Sequence, residues 1–293
     1  MAAQTPSPQT PTTLEARFAE AYPNLNSRRQ ALIRQIIDNP DETFYLSLRQ
    51  LSKRLEVDPA TTYRLIKALG YGGFPEFAED LRRHFMQRVT PYAVMRSAAA
   101  RLKTVGDHVH NSIDRDLHNL TMLKEQIDAK LVETIARHVV SAQHVLVVGL
   151  DFAASLAYFL SYALAVIGVP AEAPANVGSL RHRLRLLTRR DVLIGISFGR
   201  CLKETVEAVR DAAGVKVKTI AITDSDAGPL ARYADYRLLV SINSPAFSGS
   251  YAAAMALLNA LAIACSRLNG NRSMDLLRQA EREYESGERW YHE

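Results

Sequence analysis

Four short apolar runs, "HVLVVG", "DVLIGIS", "VKTIAIT" and "YRLLVSI", lie between residues 144 and 242 and constrain the fold of this chain most tightly. Each is rich in β-branched residues and nearly continuous in apolarity, as strands covered on both faces must be. Between and after them run "AASLAYFLSYALAVIG", "LKETVEAVRDAAG" and "SYAAAMALLNALAIACSRL", which carry helical spacing. Strand and helix in alternation predict an α/β doubly wound parallel sheet. Ligands bind such sheets beyond the carboxyl ends of the strands, where helix N-termini offer unpaired N–H groups and a dipole suited to anions. Four loops meet that description: "GLDFAAS" at 149–155, "SFGRCLKET" at 197–205, "TDSDAG" at 223–228 and "NSPAFSGSY" at 243–251.

Other classes are excluded by the remaining pattern. The run "LAYFLSYALAVIGVPAEAPA" is interrupted by Ser161 and closed by Gly168 and Pro170, so it predicts a buried helix and no membrane span. Cys201 and Cys265 stand far apart without metal-ligand spacing, which argues against a disulfide framework and for a reducing, cytoplasmic compartment. His108, His110 and His118 read as solvated surface, and no pattern calls for a metal or other cofactor. The opening "MAAQTPSPQTPTT" has neither a basic start nor an apolar stretch, and residues 1–14 are expected to be a disordered tail.

The charge is uneven. From Glu15 to Lys103 there are 15 Lys and Arg against 10 Asp and Glu, whereas from Thr104 onward the counts are equal at 21. A basic first third suits a polyanionic partner. Within it, Leu32, Ile33, Ile36 and Ile37 share one helix face, and Ser47 caps a second helix that turns Leu48, Leu51, Ser52 and Leu55 inward. After the tight connection "EVDP", with Val57 as its apolar plug, Asp58 and Pro59 have the chemistry of an N-cap and a first helical residue. The third helix buries Thr62, Leu65, Ile66 and Leu69 and stops at Gly70. Ala60, Thr61, Tyr63, Arg64 and Lys67 are left facing out. Small residues near the helix start admit it to a major groove; hydroxyls and cations further along reach bases and phosphates. A plain helical bundle that binds protein is the alternative. Phe74, Phe77, Leu81 and Phe85 predict a fourth helix behind the Gly72–Gly73 turn. Residues 15–91 therefore form an all-α helix-turn-helix bundle, with Ser47, Lys53, Thr61, Tyr63, Arg64 and Lys67 as candidate contacts to double-stranded operator DNA and Arg28, Arg29 and Arg54 as further backbone contacts.

Val109, Ile113, Leu117, Leu120, Leu123 and Ile127 alternate at steps of three and four, so 92–129 is a helical connector expected to pack on the second domain or on another copy. Asp128 opens a further helix and the sheet domain, 130–269, and 270–293 is a C-terminal helix and polar tail.

Two stretches resemble one family. "LSLRQLSKRLEVDPATTYRLIKALGYGGFPEF" is similar to the amino-terminal domain of RpiR-type bacterial transcriptional regulators, and "ISFGRCLKETVEAV…IAITDSDAGPLARYADYRLLV" to their sugar isomerase (SIS) domain. The resemblance implies a dimeric or tetrameric DNA-binding regulator whose SIS domain senses a small-molecule effector such as a phosphorylated sugar; the residues themselves argue against an enzyme, since neither Glu204 nor His182 comes with a second carboxylate or a preserved phosphate cradle. The pocket departs from the pattern the resemblance implies. Asp151 and Ala153 replace a Gly and a Ser of the first loop, and Gly199, Arg200 and Leu202 replace the Ser, Gly and Thr of the second; Ser197 and Glu204 match. Arg200 either grips another anion, such as a sugar acid, or pairs with Asp151 across an empty pocket. Candidate ligand contacts are Asp151, Ser155, Ser197, Arg200, Thr205, Ser248 and Ser250. Two alternatives stay open: a sugar-phosphate isomerase using Glu204 or His182, and a redox-responsive regulator using Cys201 beside Arg200.

Overall fold

The computed structural model describes residues 14–38, 43, 46–88, 104–226, 228–244 and 248–285. The expected tail up to residue 13, residues 92–103 of the connector and the polar end beyond 285 lie outside the described residues, as do the side chains of Ile37 and Phe85. The chain divides into two compact units, Met1–Ala93 and Val94–Glu293.

The first unit contains α1 (Leu14–Ala21), α2 (Ser27–Asp38), α3 (Leu48–Arg54), α4 (Pro59–Ala68) and α5 (Phe74–Arg88). α1 was not apparent from the apolar pattern, yet its Leu14 is fully buried. α3 begins with a capping box: the Ser47 hydroxyl accepts from Gln50 N–H, and Gln50 Oε1 accepts from Ser47 N–H. α4 begins at Asp58, whose Oδ1 accepts from Thr61 N–H at 2.8 Å and Oδ2 from the Thr61 hydroxyl at 2.6 Å. These Thr61 bonds hold the Asp58 carboxyl below the usual carboxylate range. α4 ends before Gly70, whose φ of +81° favours glycine. Ile33, Ile36, Leu51, Leu55, Leu65, Ile66, Leu69, Phe77 and Leu81 close one core. A buried hydroxyl pair ties α3 to α4, with Ser52 Oγ 2.8 Å from Thr62 Oγ1 and 2.7 Å from Leu48 O. At the start of α5, the buried Tyr71 hydroxyl donates to Asp80 at 2.7 Å, and burial pushes this phenol well above its ordinary pKa.

The second unit runs α6 (Val105–Gln126), α7 (Ala129–Ser141), β1 (Val145–Gly149), α8 (Ala153–Val166), β2 (Ala171–Glu172), α9 (Val177–Leu184), β3 (Val192–Ile196), α10 (Lys203–Gly214), β4 (Lys218–Thr223), β5 (Tyr236–Leu239) and α11 (Ala252–Glu285). Among the described residues the sheet has the order β2-β1-β3-β4-β5, and every pairing is parallel. Alternate strand residues serve opposite faces. Val145, Val147, Ile194, Ile196, Ile220 and Ile222 pack with α7, α8 and α11, while Leu146, Val148, Leu193 and Ala221 pack with α9 and α10. β2 escaped the sequence pattern because it is two half-buried residues on an edge.

Three helices refine the expectations. α8 is not the buried helix its composition suggested: Leu156, Leu160 and Leu164 are covered, but Phe152, Tyr158, Tyr162 and Val166 are exposed. α6 divides its apolar stripe. Leu120 and Leu123 pack on the core, and Val109, Ile113 and Leu117 face outward. α11 is, among the described residues, the helix long and apolar enough to cross a membrane by length and composition. Its apolarity is used by the core, since Ala253, Ala254, Leu257, Leu258, Leu261 and Cys265 pack beneath the sheet, and Gly270 (φ +52°, ψ −122°) kinks it. Burial there pushes the Cys265 thiol up to about 12.

Gly149 sets the approach of α8 to the end of β1. A Cβ there would stand 2.5 Å from Ala153 O, whereas one on Gly214 would meet nothing within 4 Å. Gly149→Ala should therefore lower unfolding stability by about 1–3 kcal/mol through overpacking, and Gly214→Ala should be neutral or raise it by a few tenths to about 1 kcal/mol. Denaturant melts of the two variants check the opposite signs.

Candidate functional site

Two surfaces carry the sequence-designated residues. The first is the outward side of α4. Thr62, Leu65 and Ile66 take the inner side, which leaves Ala60, Tyr63, Arg64 and Lys67 exposed and Thr61 half-buried. The polar residues are linked. Arg64 Nη2 donates to Thr61 Oγ1 at 3.2 Å and Nε to Ala60 O at 3.3 Å, so its guanidinium lies back along its own helix, one step from the Asp58 cap. Lys67 Nζ donates to Gly72 O at 3.4 Å. Lys53 is exposed in the last turn of α3, and the Ser47 hydroxyl is engaged in the capping box at the other end of that helix. The candidates on α4 thus share one exposed face, while Ser47 and Lys53 flank α3.

The second surface is the carboxyl edge of the sheet. The strand order reverses between β1 and β3, so the loops leaving those two strands open a crevice. Asp151 lies in the first loop with φ +56°, a left-handed turn that favours glycine and that aspartate tolerates better than most residues. This explains how aspartate stands where the resembled pattern has glycine. Ser197, buried, follows β3, and Gly199 also turns through φ +56°. Its N–H donates to both oxygens of the buried Asp224 carboxylate, at 3.0 and 3.1 Å, joining this loop to the end of β4. Phe198 packs against Tyr251 with ring centroids 5.6 Å apart. Burial raises the Tyr251 phenol above its ordinary pKa, and Asp151 and Asp224 push it further the same way. Loops from three strands and the approach to α11 therefore converge here.

The start of α10 is open. Its N-cap is Leu202, which supplies no side-chain hydrogen bond, and the Thr205 hydroxyl in the first turn is fully buried without a partner. Arg200 is exposed on the loop before it. Other candidates are engaged locally. Ser155 donates to Phe152 O at 2.9 Å, and Ser250 Oγ accepts from Ala252 N–H at 3.3 Å, next to the start of α11. Ser248 is half-buried beyond undescribed residues. Asp224 and Tyr251 were not singled out from sequence. The position of Asp224, directly after a strand, was the signal available for it; the Phe198–Tyr251 contact joins residues far apart in the chain.

One further contact links this edge to α6. Asn119, fully buried, donates to Asn243 O at 2.7 Å and accepts from the Ser241 hydroxyl at 2.9 Å. The loop after β5 is thereby fastened to the connector helix. Among the described residues no group of three or more His, Cys, Asp or Glu side chains could hold a metal ion.

A helix-turn-helix domain followed by a sugar-isomerase-type sheet domain is the class of protein that this fold and these surfaces define. Residues 12–88 match the family model "Helix-turn-helix domain, rpiR family", and residues 138–264 match "SIS domain". The chain belongs to the RpiR family of helix-turn-helix transcriptional regulators. It is 31% identical to the sugar isomerase domain of an RpiR transcription factor from Sphaerobacter thermophilus, with a TM-score of 0.56 over 58% of this chain and 96% of that one. The Vibrio vulnificus NanR protein, complexed with ManNAc-6P, is similar in fold, at 17% identity and a TM-score of 0.55 over 90% of this chain and 97% of that one. Among curated relatives, an uncharacterized HTH-type transcriptional regulator of Haemophilus influenzae is 25% identical over 76% of this chain and 78% of its own length. Another, from Caldanaerobacter subterraneus subsp. tengcongensis, is 24% identical over 92% and 95%.

The Thr205 hydroxyl gives a direct test of the open end of α10. Removing a buried hydroxyl that has no partner relieves a desolvation cost of about 1–3 kcal/mol. Thr205→Val should leave the stability of the ligand-free protein unchanged or higher in a denaturant titration; a loss above roughly 1 kcal/mol would mean the hydroxyl is bonded.

Proposed function

We propose that this chain reads a two-fold symmetric operator with the outward side of α4 and releases or tightens its hold when a carbohydrate derivative, or a related small anion such as a sugar acid, occupies the carboxyl edge of the sheet. The observation that carries the reading is the α4 face itself: small residues at the helix start, then Tyr63, Arg64 and Lys67 exposed above a fully packed inner side. Arg64 and Tyr63, with Thr61, are the base-reading candidates. Lys67, Lys53 and Ser47 are assigned to the phosphate backbone, where they position the helix without reading sequence.

The protein acts in the cytoplasm as a homo-oligomer in this reading, and without catalysis. Exposed aromatic area supports self-association: Tyr158 and Tyr162 are 68% and 60% exposed, stacked 6.2 Å apart on the outer face of α8. Catalysis lacks support because His182 lies exposed on α9 and Glu204 stands in the first turn of α10, with no acid–base pair formed between them. NanR holds ManNAc-6P, which makes a sugar derivative a reasonable effector class here. The Asn119 contacts offer a route from the pocket loops to α6. An effector shifts the operator equilibrium only by its difference in affinity between two arrangements, and that loop is a place where two arrangements would differ.

Arg64→Ala should weaken operator binding at least about tenfold in an anisotropy titration and relax sequence preference, whereas Lys67→Ala should weaken all duplexes alike and reduce the salt slope by about one. Equal operator affinity in wild type and Arg64→Ala would remove α4 as the reading helix. Tyr158→Glu combined with Tyr162→Glu should lower the mass measured by light scattering; an unchanged mass would place self-association elsewhere.

A further inference from the structure

We propose that Arg64 reads a guanine in each half-site with the outer edge of its guanidinium, and that Thr61, itself held by Asp58, is the positioning residue that aims it. The inference rests on α4 as the reading helix and deepens that assignment, turning Thr61 from a reader of bases into the support of one.

A guanidinium presents N–H donors along two edges, one formed by Nε and Nη2 and the other by Nη1 and Nη2. In Arg64 the first edge is laid against its own helix. Nε donates to Ala60 O at 3.3 Å and Nη2 to Thr61 Oγ1 at 3.2 Å. The side chain is exposed, and among the described residues no other hydrogen bond or ion pair engages it. The second edge, with two parallel N–H groups, is therefore left to a partner. In the major groove that fork matches the O6 and N7 acceptors of guanine, whereas adenine sets a donor beside its N7.

Thr61 decides where the fork stands. Its hydroxyl has one proton, and that proton goes to Asp58 Oδ2 at 2.6 Å. The oxygen is left as an acceptor, and Arg64 takes it. Asp58 is fixed in turn, because its Oδ1 accepts from Thr61 N–H at 2.8 Å as the cap of α4. The chain runs in one sense: the carboxylate accepts, the hydroxyl relays and the guanidinium donates. Thr61 has no proton left to offer a base. The fork is thereby brought back to the first turn of α4, beside Ala60, which carries only a methyl group and is exposed. The N-terminal residues of a recognition helix are those that meet base edges. Ordering the long side chain before DNA arrives removes part of the cost of binding.

The test is a double-mutant cycle on the full-length protein, read by anisotropy with an operator duplex taken from the bound fraction of a random pool. Each guanine is replaced in turn by 7-deazaguanine, which pairs normally but lacks the N7 acceptor. One such replacement per half-site should weaken wild type by about threefold or more and leave Arg64→Ala unaffected. Thr61→Val keeps the backbone N–H that Asp58 accepts and removes only the hydroxyl. It should weaken wild type about three- to tenfold, have no further effect on Arg64→Ala, and be rescued by Thr61→Ser. Asp58→Asn, which keeps the cap but offers Thr61 a donor in competition with Arg64, serves in its place if Thr61→Val fails to fold. The proposal is overturned if no 7-deazaguanine penalty disappears in Arg64→Ala, or if Thr61→Val weakens Arg64→Ala as much as it weakens wild type. Either result leaves α4 as the reading helix. Equal operator affinity in wild type and Arg64→Ala would instead remove that assignment, and this inference with it.

Discussion

Parallel strand pairing governs the second unit. Adjacent parallel strands cannot be joined by a hairpin, so each connection must cross a face of the sheet, and every strand ends at the same edge. Because β1 and β3 are neighbours while their crossovers lie on opposite faces, with α8 on one side and α9 and α10 on the other, a crevice opens between the loops that follow them. The sites of Asp151, Ser197, Gly199 and Asp224 follow from that single constraint. What the loops then bind depends on side chains, and here an aspartate has taken up one of the backbone donors.

The first unit is organised by caps and by a small polar contact inside an apolar core. Ser47 and Asp58 start α3 and α4, and Gly70 ends the second of them. The Ser52–Thr62 hydroxyl contact bridges the two helices inside the core, and each hydroxyl also has a nearby backbone carbonyl within reach, Leu48 O for Ser52 and Asp58 O for Thr62. The outward side of α4 is thus presented by a packed apolar interior. The link from Asp58 through Thr61 to Arg64 also restricts the guanidinium before any partner arrives.

Much of this was legible in the sequence wherever the signal was local or periodic. The caps at Ser47, Asp58 and Asp128, the stop at Gly70, the inner faces of α3 and α4 and four of the strands are written in neighbouring residues. β2 was not, because two edge residues carry no period. The exposed aromatic face of α8 was hidden by composition: an all-round apolar helix reads as buried, and burial here stops at one side. Within the pocket, the replaced glycine at Asp151 and the lost hydroxyls of the second loop were evident, but their consequence was not. The bond from Gly199 to Asp224 joins residues 25 apart and needs the fold to exist. The same holds for Asn119, which looks like one more polar residue on an amphipathic helix until the loop after β5 is placed against it.

The two surfaces define a regulator whose DNA-reading side can be tested without knowing its effector. The most direct measurement is in vitro selection of the full-length protein on a random duplex pool, followed by sequencing of the retained DNA. The account predicts enrichment of a two-fold symmetric motif with half-sites about one helical turn, roughly 10 base pairs, apart. Retention with no enriched motif, or with a single asymmetric site, would contradict the assignment of α4 as a paired recognition helix.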